Sequence, residues 1–90
     1  MHIVSTYNYL VLVMDIPNYL MVEFPLALRC SVSSIRRRHE FLKKLHKAIY
    51  NPELPGYVSL EKLLQPSDKK FAKHVAKVHS ESYNLWLKTT

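Results

Sequence analysis

The chain has 90 residues, with 13 Lys and Arg against seven Asp and Glu, and a formal net charge of +6 at pH 7. This length allows one domain, since domains typically contain about 50–250 residues, and residues 1–90 are treated as one. The composition, 48% hydrophobic and 22% charged, is typical of a folded chain and excludes a disordered tail. The single Cys excludes an internal disulfide framework and favours a reducing, intracellular compartment.

The first residues lack the cationic start of a secretory signal, so no targeting segment is expected. The stretch 9–28 is apolar enough to raise the question of a membrane span. Two prolines, Asp15 and Glu23 interrupt it, and a charge near the centre of a spanning helix costs about 2.5–3.5 kcal/mol. The sequence therefore disfavours a transmembrane helix.

Charge divides the chain into two regions. Residues 1–35 have a balance of −1 and residues 36–90 a balance of +7. This asymmetry predicts an apolar region that forms contacts with other chains, and a cationic region that binds an anionic partner. The alternative is that the Lys and Arg side chains only solvate helix faces.

The N-terminal region, residues 1–31, is predicted to form an apolar β-hairpin or a three-stranded sheet. Tyr7–Met14 is rich in aromatic and branched residues, which favour strands, and Asp15–Asn18 has the composition of a turn. Tyr19–Phe24 is the second predicted strand and Leu26–Ser31 a third. Because a two-stranded ribbon is marginal alone, we expect helices or another chain to cover it. The predicted oligomer contacts are Tyr9, Val11, Val13, Tyr19, Met21 and Phe24.

The basic helical region, residues 33–90, is predicted to contain three helices, which gives an α+β fold. The first begins at Ser33 or Ser34 and runs to about Tyr50, with apolar residues at three- and four-residue spacing. A brief helix capped by Ser59 follows an extended pair at 57–58. The last begins at Ser67 or Asp68, and no internal repeat is evident. Its apolar stripe contains Phe71, Val75, Val78, Ser82 and Leu85.

Two groups of cations are candidate phosphate contacts. The run 36–38 lies in the first turn of the first predicted helix, where the macrodipole is already positive, and this conflict suggests an anion at that place. Lysines at three- and four-residue spacing on the last helix could follow a phosphate backbone without reading bases. Tyr83 and Trp86 follow on that helix as candidates for base stacking, or as aromatic residues of the core. The proposed phosphate contacts are Arg36, Arg37, Arg38, Lys43, Lys44, Lys69, Lys70, Lys73 and Lys77.

The order of the predicted elements from residue 33 onward is similar to the beginning of winged-helix domains. A helix, a short extended piece, a brief helix and a longer basic helix follow one another. No hairpin follows the last helix, so the N-terminal strands would take the place of the wing.

A second resemblance involves Ser34–Leu42 and the segment Pro52–Gly56. Arginines before a helix and a proline-rich crossing resemble the middle of a phox-homology domain. The resemblance covers about a quarter of the chain and implies an N-terminal sheet and phosphoinositide binding. His39 stands where that family usually has Tyr, and one residue is missing before Glu40.

The residues give little support to catalysis, and we expect no enzyme activity, catalytic residue or small-molecule substrate. Cys30 has no His within its own predicted element, and no pair of His or Cys residues has zinc-finger spacing. A single Gly excludes the glycine-rich loops that bind nucleotides. We therefore expect neither a metal nor a cofactor.

The sequence thus predicts a small basic binding protein that contacts RNA or DNA mainly through phosphates, as part of a larger ribonucleoprotein assembly. Two alternatives remain open. One is a protein-interaction or regulatory module that dimerises through its N-terminal strands. The other is a module that binds phosphoinositide headgroups through its arginine run.

Overall fold

The computed structural model describes residues 2–89, and every regular element in this range is helical. α1 continues directly into a π-helical segment, α2 is followed by a 3₁₀ segment, and α5 continues into a second π-helical segment. The order is α1 (His2–Asn8), the π segment Tyr9–Val13, α2 (Asn18–Glu23), the 3₁₀ segment Pro25–Arg29, α3 (Val32–Lys44), α4 (Leu60–Leu64), α5 (Asp68–Lys70), the π segment Phe71–Val75, and α6 (Ser80–Thr89).

The predicted α+β fold is wrong, because the segments predicted as strands are helical and no strand occurs within 2–89. Thr6, Leu10 and Met14 are buried at four-residue intervals, whereas Leu12 between them is 78% exposed. Burial thus follows the period of a helix rather than the alternation of a strand. A continuous apolar run does not distinguish these possibilities, since both elements can be buried on several sides. The N-terminal sheet implied by the phox-homology resemblance is wrong for the same reason, as are the strands that would take the place of the wing in the winged-helix comparison.

Three helical segments end in the same way, with a residue in the left-handed conformation. These residues are Asp15, His46 and Lys77, with φ between 56° and 59°, and they stand 31 residues apart in turn. Helices commonly end in this conformation, usually at Gly, but the only Gly of this chain is Gly56. A supersecondary unit of this length is typical of structural repeats. The equal spacing of these three turns is a feature of the backbone, and the sequence itself shows no evident internal repeat.

The predicted helix boundaries are partly correct. Ser59 and Ser67 cap α4 and α5, each accepting a hydrogen bond from the backbone N–H three residues later, and both predictions are confirmed. α3 is instead capped by Ser31 and ends at Lys44, six residues before the predicted end. The last predicted helix is interrupted between residues 75 and 80 by the turn that contains Lys77.

The core lies where the helices cross, and aromatic rings occupy one side of it. Tyr83 of α6 contacts Phe41 of α3 and Phe71 of the second π segment, with ring centroids 4.8 and 5.3 Å apart. Trp86 lies against the same cluster, 5.4 Å from Phe41. Each of these rings buries a large apolar area, so α6 is held to α3 and α5 mainly by this cluster.

None of the described helices combines the length and apolar character needed to cross a membrane.

Candidate nucleic-acid interface

The arginine run of α3 begins at the fifth residue of the helix, because α3 starts at Val32. The helix macrodipole acts mainly within the first turn. The predicted conflict between these arginines and the macrodipole is therefore wrong, and it no longer indicates an anion at this helix start. The three guanidinium groups also have different environments.

Arg38 points into the protein, and its side chain is 12% exposed. Its guanidinium donates a 2.9 Å hydrogen bond to the carbonyl oxygen of Leu63 and pairs with the Asp68 carboxylate at 3.0 Å. Its central carbon lies 4.8 Å from the centre of the Phe71 ring. The Leu63 carbonyl lies in the last turn of α4 and therefore has no hydrogen-bond partner within that helix. Arg38 supplies the donor that this carbonyl lacks, and so caps the C-terminal end of α4. The structure thus places Arg38 among internal contacts.

Arg36 and Arg37 are exposed and line a cavity of about 410 Å³ together with Ser33, Glu40 and Trp86. Arg37 also donates a 3.3 Å hydrogen bond from Nε to the Ser33 carbonyl oxygen. The Glu40 carboxylate offsets part of the positive charge at this place. These two arginines are accessible to an anionic partner, but their surroundings are of mixed charge.

Three of the four predicted lysines of the last basic segment line one cavity. Lys69, Lys73 and Lys77 surround a space of about 560 Å³, with Val78, His79 and Ser80 completing its wall. Lys70 points elsewhere and lines a separate cavity that includes Lys62 and Glu61. The structure therefore brings Lys69, Lys73 and Lys77 together and separates Lys70 from them. We call these three residues the lysine cluster.

The turn after the second π segment forms this cavity. Lys69 and Lys73 share a helix face, being four residues apart, and the left-handed residue Lys77 then reverses the chain. The N–H of Val78 donates to the carbonyl oxygen of Ala72 at 2.8 Å. The ammonium group of Lys47 donates to the carbonyl oxygen of Ala76 at 2.6 Å and ties the turn to the segment after α3. Lys47 is thus a structural cation.

The remaining predicted contacts are divided between surface and core. Lys43 and Lys44 are exposed in the last turn of α3, where positive charge is favourable. Tyr83 is 2% exposed, so its ring faces offer no surface to a base. Trp86 is half-buried between the aromatic cluster and the cavity of Arg36 and Arg37. Of the two aromatic candidates for stacking, Trp86 alone retains accessible surface.

The predicted oligomer contacts lie in helical segments, except Phe24 between α2 and the 3₁₀ segment, and do not share one exposed face. Met21 is buried, and Tyr9, Val11 and Phe24 are half-buried. Val13 and Tyr19 remain largely exposed. The exposed apolar side chains that the strand prediction missed are Leu12, Val22 and Leu26.

Burial shifts the pKa of two titratable groups away from the lysine cluster. A 2.7 Å hydrogen bond joins Nδ1 of His39 to the hydroxyl of Tyr50. Burial lowers the pKa of His39, the nearby Lys43 lowers it further, and Glu40 opposes them. Burial likewise raises the pKa of the Cys30 thiol, which makes the reactive thiolate less accessible. Within the described residues, no three His, Cys, Asp or Glu side chains form a group that could hold a metal ion.

The sequence interpretation missed His79 and Ser80 as neighbours of the lysine cluster and Lys47 as its support. The contact between Lys47 and Ala76 joins residues 29 positions apart. Local spacing carries no signal of such a contact. The left-handed turn at Lys77 was missed because a lysine there is an unusual choice for a helix end.

No family model matches the chain. It is similar to curated proteins named "Transcription termination factor 3, mitochondrial" from three animals. The rat protein is 40% identical over 85 residues, 94% of this chain and 21% of its own length. The mouse protein is 40% identical over 83 residues, 92% of this chain and 20% of its own length. The protein of Drosophila melanogaster is 33% identical over 87 residues, 97% of this chain and 25% of its own length.

The similarity includes nearly all of this chain, which spans about a fifth to a quarter of the length of these relatives. It therefore relates the whole described structure to one part of a longer protein.

Proposed function

We propose that this chain binds nucleic acid through its phosphate groups and does so in mitochondria. The lysine cluster is the observation that carries this proposal, since it places three ammonium groups around one concave surface. Lysines that neutralise phosphates supply affinity without reading base sequence. The names of the relatives, which describe a mitochondrial transcription termination factor, support both the ligand class and the compartment.

The exposed arginines of α3 extend this proposed interface. Arg37 lies beside Arg38, and the ion pair of Arg38 holds Asp68, the residue before Lys69. This ion pair thus joins the sequence neighbours of Arg37 and Lys69. Trp86 borders the arginine cavity, where its ring keeps accessible aromatic surface. We propose Lys43, Lys44 and Lys70 as peripheral contacts, because they are exposed and lie outside the lysine cluster.

Binding is tested by fluorescence anisotropy with labelled single- and double-stranded DNA and RNA at about 50 and 200 mM salt. The variant with Lys69, Lys73 and Lys77 all changed to Gln is compared with Lys88→Gln, which removes one exposed charge near the end of α6. Loss of three phosphate contacts should reduce the slope of log K against log salt by about 2–3. The control should reduce it by less than about 1.

Two results would contradict the proposal. One is the absence of binding to every nucleic acid at the lower salt concentration. The other is equal salt dependence in the triple variant and the wild type. Binding to vesicles with phosphoinositide headgroups, measured in parallel, distinguishes a general affinity for anions from a preference for nucleic acid.

A second candidate function is contact with another protein surface, including a second copy of this chain. Leu12 and Val22 favour it, since each is 78% exposed although apolar. We expect Leu12→Glu and Val22→Glu to abolish self-association or partner capture without loss of helicity. Light scattering on the wild type at tens of micromolar measures self-association. A monomer at these concentrations would exclude contact with a second copy.

A further inference from the structure

A small polar cavity lies where the first turns of α3 meet α5 and α6. Its volume is about 110 Å³, against about 410 Å³ for the cavity of Arg36 and Arg37 beside it. An engineered cavity of about 150 Å³ holds benzene, which has six heavy atoms. The smaller space therefore accepts a group of about five heavy atoms, such as a phosphate, but not a sugar or a base. We call it the Tyr83 cavity, and its lining residues are Ser34, Arg37, Arg38, Asp68, Tyr83 and Leu87.

Two polar side chains of this wall are fixed by the fold. Tyr83 is 2% exposed, and its ring belongs to the aromatic cluster of the core. Burial raises the pKa of the Tyr83 phenol, and the neighbouring charge of Arg38 opposes that shift. Arg38 is held by the Leu63 carbonyl oxygen and the Asp68 carboxylate. Part of the cavity wall therefore consists of buried, placed polar groups, and little ordering is required when a ligand binds.

The groups that remain available at this wall are mainly hydrogen-bond donors. Arg37 uses its Nε–H for the Ser33 carbonyl oxygen at 3.3 Å, which orients the guanidinium and leaves its terminal N–H groups for a ligand. The Ser31 hydroxyl donates to the Ser34 hydroxyl oxygen at 2.8 Å, so the Ser34 proton remains for another acceptor. The Tyr83 hydroxyl keeps its proton at neutral pH, since its pKa is raised. A wall of this kind favours a ligand whose outer atoms are oxygens.

The charge balance of the cavity matches that of a phosphodiester. Two guanidinium groups and one carboxylate line it, which leaves a net charge of +1. The Asp68 carboxylate is paired with Arg38 at 3.0 Å, so Arg37 supplies the charge that is not offset. A backbone phosphodiester carries one negative charge, shared by two oxygens that the planar guanidinium of an arginine can contact together.

From these observations we propose that the Tyr83 cavity binds one phosphate group of a nucleic-acid strand. Arg37 contacts the phosphate through its guanidinium, and the hydroxyls of Ser34 and Tyr83 donate hydrogen bonds to the same oxygens. The attached sugar and base remain outside, where the larger cavity bordered by Trp86 has room for them. This inference rests on the proposed function and adds a contact that depends on neutral hydroxyls as well as on charge.

The test uses the different salt dependence of charged and neutral contacts. Tyr83→Phe removes one hydroxyl and keeps the ring in the core, and Tyr19→Phe is the matched control at a side chain that is 57% exposed. In anisotropy titrations Tyr83→Phe should weaken oligonucleotide binding at least about fivefold, because it loses a hydrogen bond to a charged group. The slope of log K against log salt should not change, since no charge is removed. Tyr19→Phe should change neither quantity.

Two further variants test the cavity without altering the core. Ser34→Ala removes a hydroxyl but keeps the backbone N–H that the Ser31 cap binds, and it should weaken binding about two- to tenfold at an unchanged slope. Arg37→Gln removes one charge and should reduce the slope by about 1. Circular dichroism and the Tm of each variant measure whether the helices are retained.

Inorganic phosphate, titrated against chloride at constant ionic strength, separates a strand phosphate from the free ion. A ligand that binds only the folded state raises its stability. We therefore expect phosphate to raise the Tm of the wild type and of Tyr19→Phe more than that of Tyr83→Phe.

The outcomes separate this inference from the proposed function. Unchanged oligonucleotide affinity in both Tyr83→Phe and Ser34→Ala overturns the inference and leaves the proposed function intact, because the lysine cluster carries that function. If Tyr83→Phe loses only the Tm response to inorganic phosphate, the cavity holds the free ion and the assignment to a strand is overturned. A smaller salt slope in Tyr83→Phe also overturns it, because the variant then displaces cations. Absence of wild-type binding to every oligonucleotide contradicts the proposed function itself.

Discussion

Replacement of Arg38 by Met tests whether an internal arginine, rather than a surface ion pair, holds α3, α4 and α5 together. Met keeps most of the apolar stem but removes the guanidinium. The change leaves the Leu63 carbonyl oxygen without its 2.9 Å donor, at a cost of about 1–3 kcal/mol. It also removes the contact with the Phe71 ring at 4.8 Å, worth about 0.5–2 kcal/mol.

The ion pair with Asp68 contributes less, because the Asp68 side chain is 60% exposed. Pairs of this kind are typically worth about 0.2–1 kcal/mol. Since the three contacts share one guanidinium, their costs do not simply add. We therefore expect Arg38→Met to lower the free energy of unfolding by about 2–4 kcal/mol and Asp68→Asn by less than about 1 kcal/mol.

Urea denaturation followed by circular dichroism and by Trp86 fluorescence measures both variants. For a domain of this size the loss expected for Arg38→Met corresponds to a decrease in Tm of about 8–30 °C. Arg38→Lys keeps the charge but not the planar fork, and should lie between the two. Equal destabilisation by Asp68→Asn and Arg38→Met would refute the reasoning, because it would assign the stabilisation to the ion pair alone.

Three further predictions concern the core and the helix ends. The pKa of His39 is lowered in the folded state, so the fold favours the neutral imidazole. The contribution of His39 to the free energy of unfolding is complete above the unfolded pKa of about 6.5. It is lost as the pH falls below that value. His39→Gln should flatten this decline between about pH 7 and 5 in urea titrations, and an unchanged decline in this variant would contradict its assignment to His39. Leu63→Ala, at a position with no exposed surface, should cost about 2–5 kcal/mol in the same assay, and a loss below about 1 kcal/mol would contradict its place in the core. Asp15→Gly should raise stability by about 0.5–1 kcal/mol, because Gly tolerates a positive φ, and a lower Tm would argue against the left-handed turn.

The left-handed residues that end three helical segments include one member of the lysine cluster, Lys77. Asp15, His46 and Lys77 occupy equivalent backbone positions, yet their side chains differ in charge. The first turn carries an acidic side chain and the third a basic one, so the same backbone conformation holds side chains of opposite charge. The lysine cluster therefore depends on side-chain choice at a turn whose geometry recurs elsewhere.

The chemical character of the molecule follows from its composition and local residue spacing. Three features could be predicted from composition and local spacing alone. They are the basic balance of residues 36–90, the serine caps at Ser59 and Ser67, and the apolar character of the N-terminal region. These features depend on the identity of neighbouring residues, which the sequence states directly. They were enough to identify an anionic partner as the leading hypothesis.

Packing between distant parts of the chain selects the element that each segment forms and the charges that remain exposed. The apolar run at 7–14 fits a buried strand and a buried helix equally well, and its packing partners select the helix. Arg38 belongs to the same run as Arg36 and Arg37, but its partners lie 25 and 30 residues away and turn it inward. Lys69 and Lys73 meet Lys77 across a turn that depends on Lys47. Such assignments follow from contacts between distant residues, which local spacing does not specify.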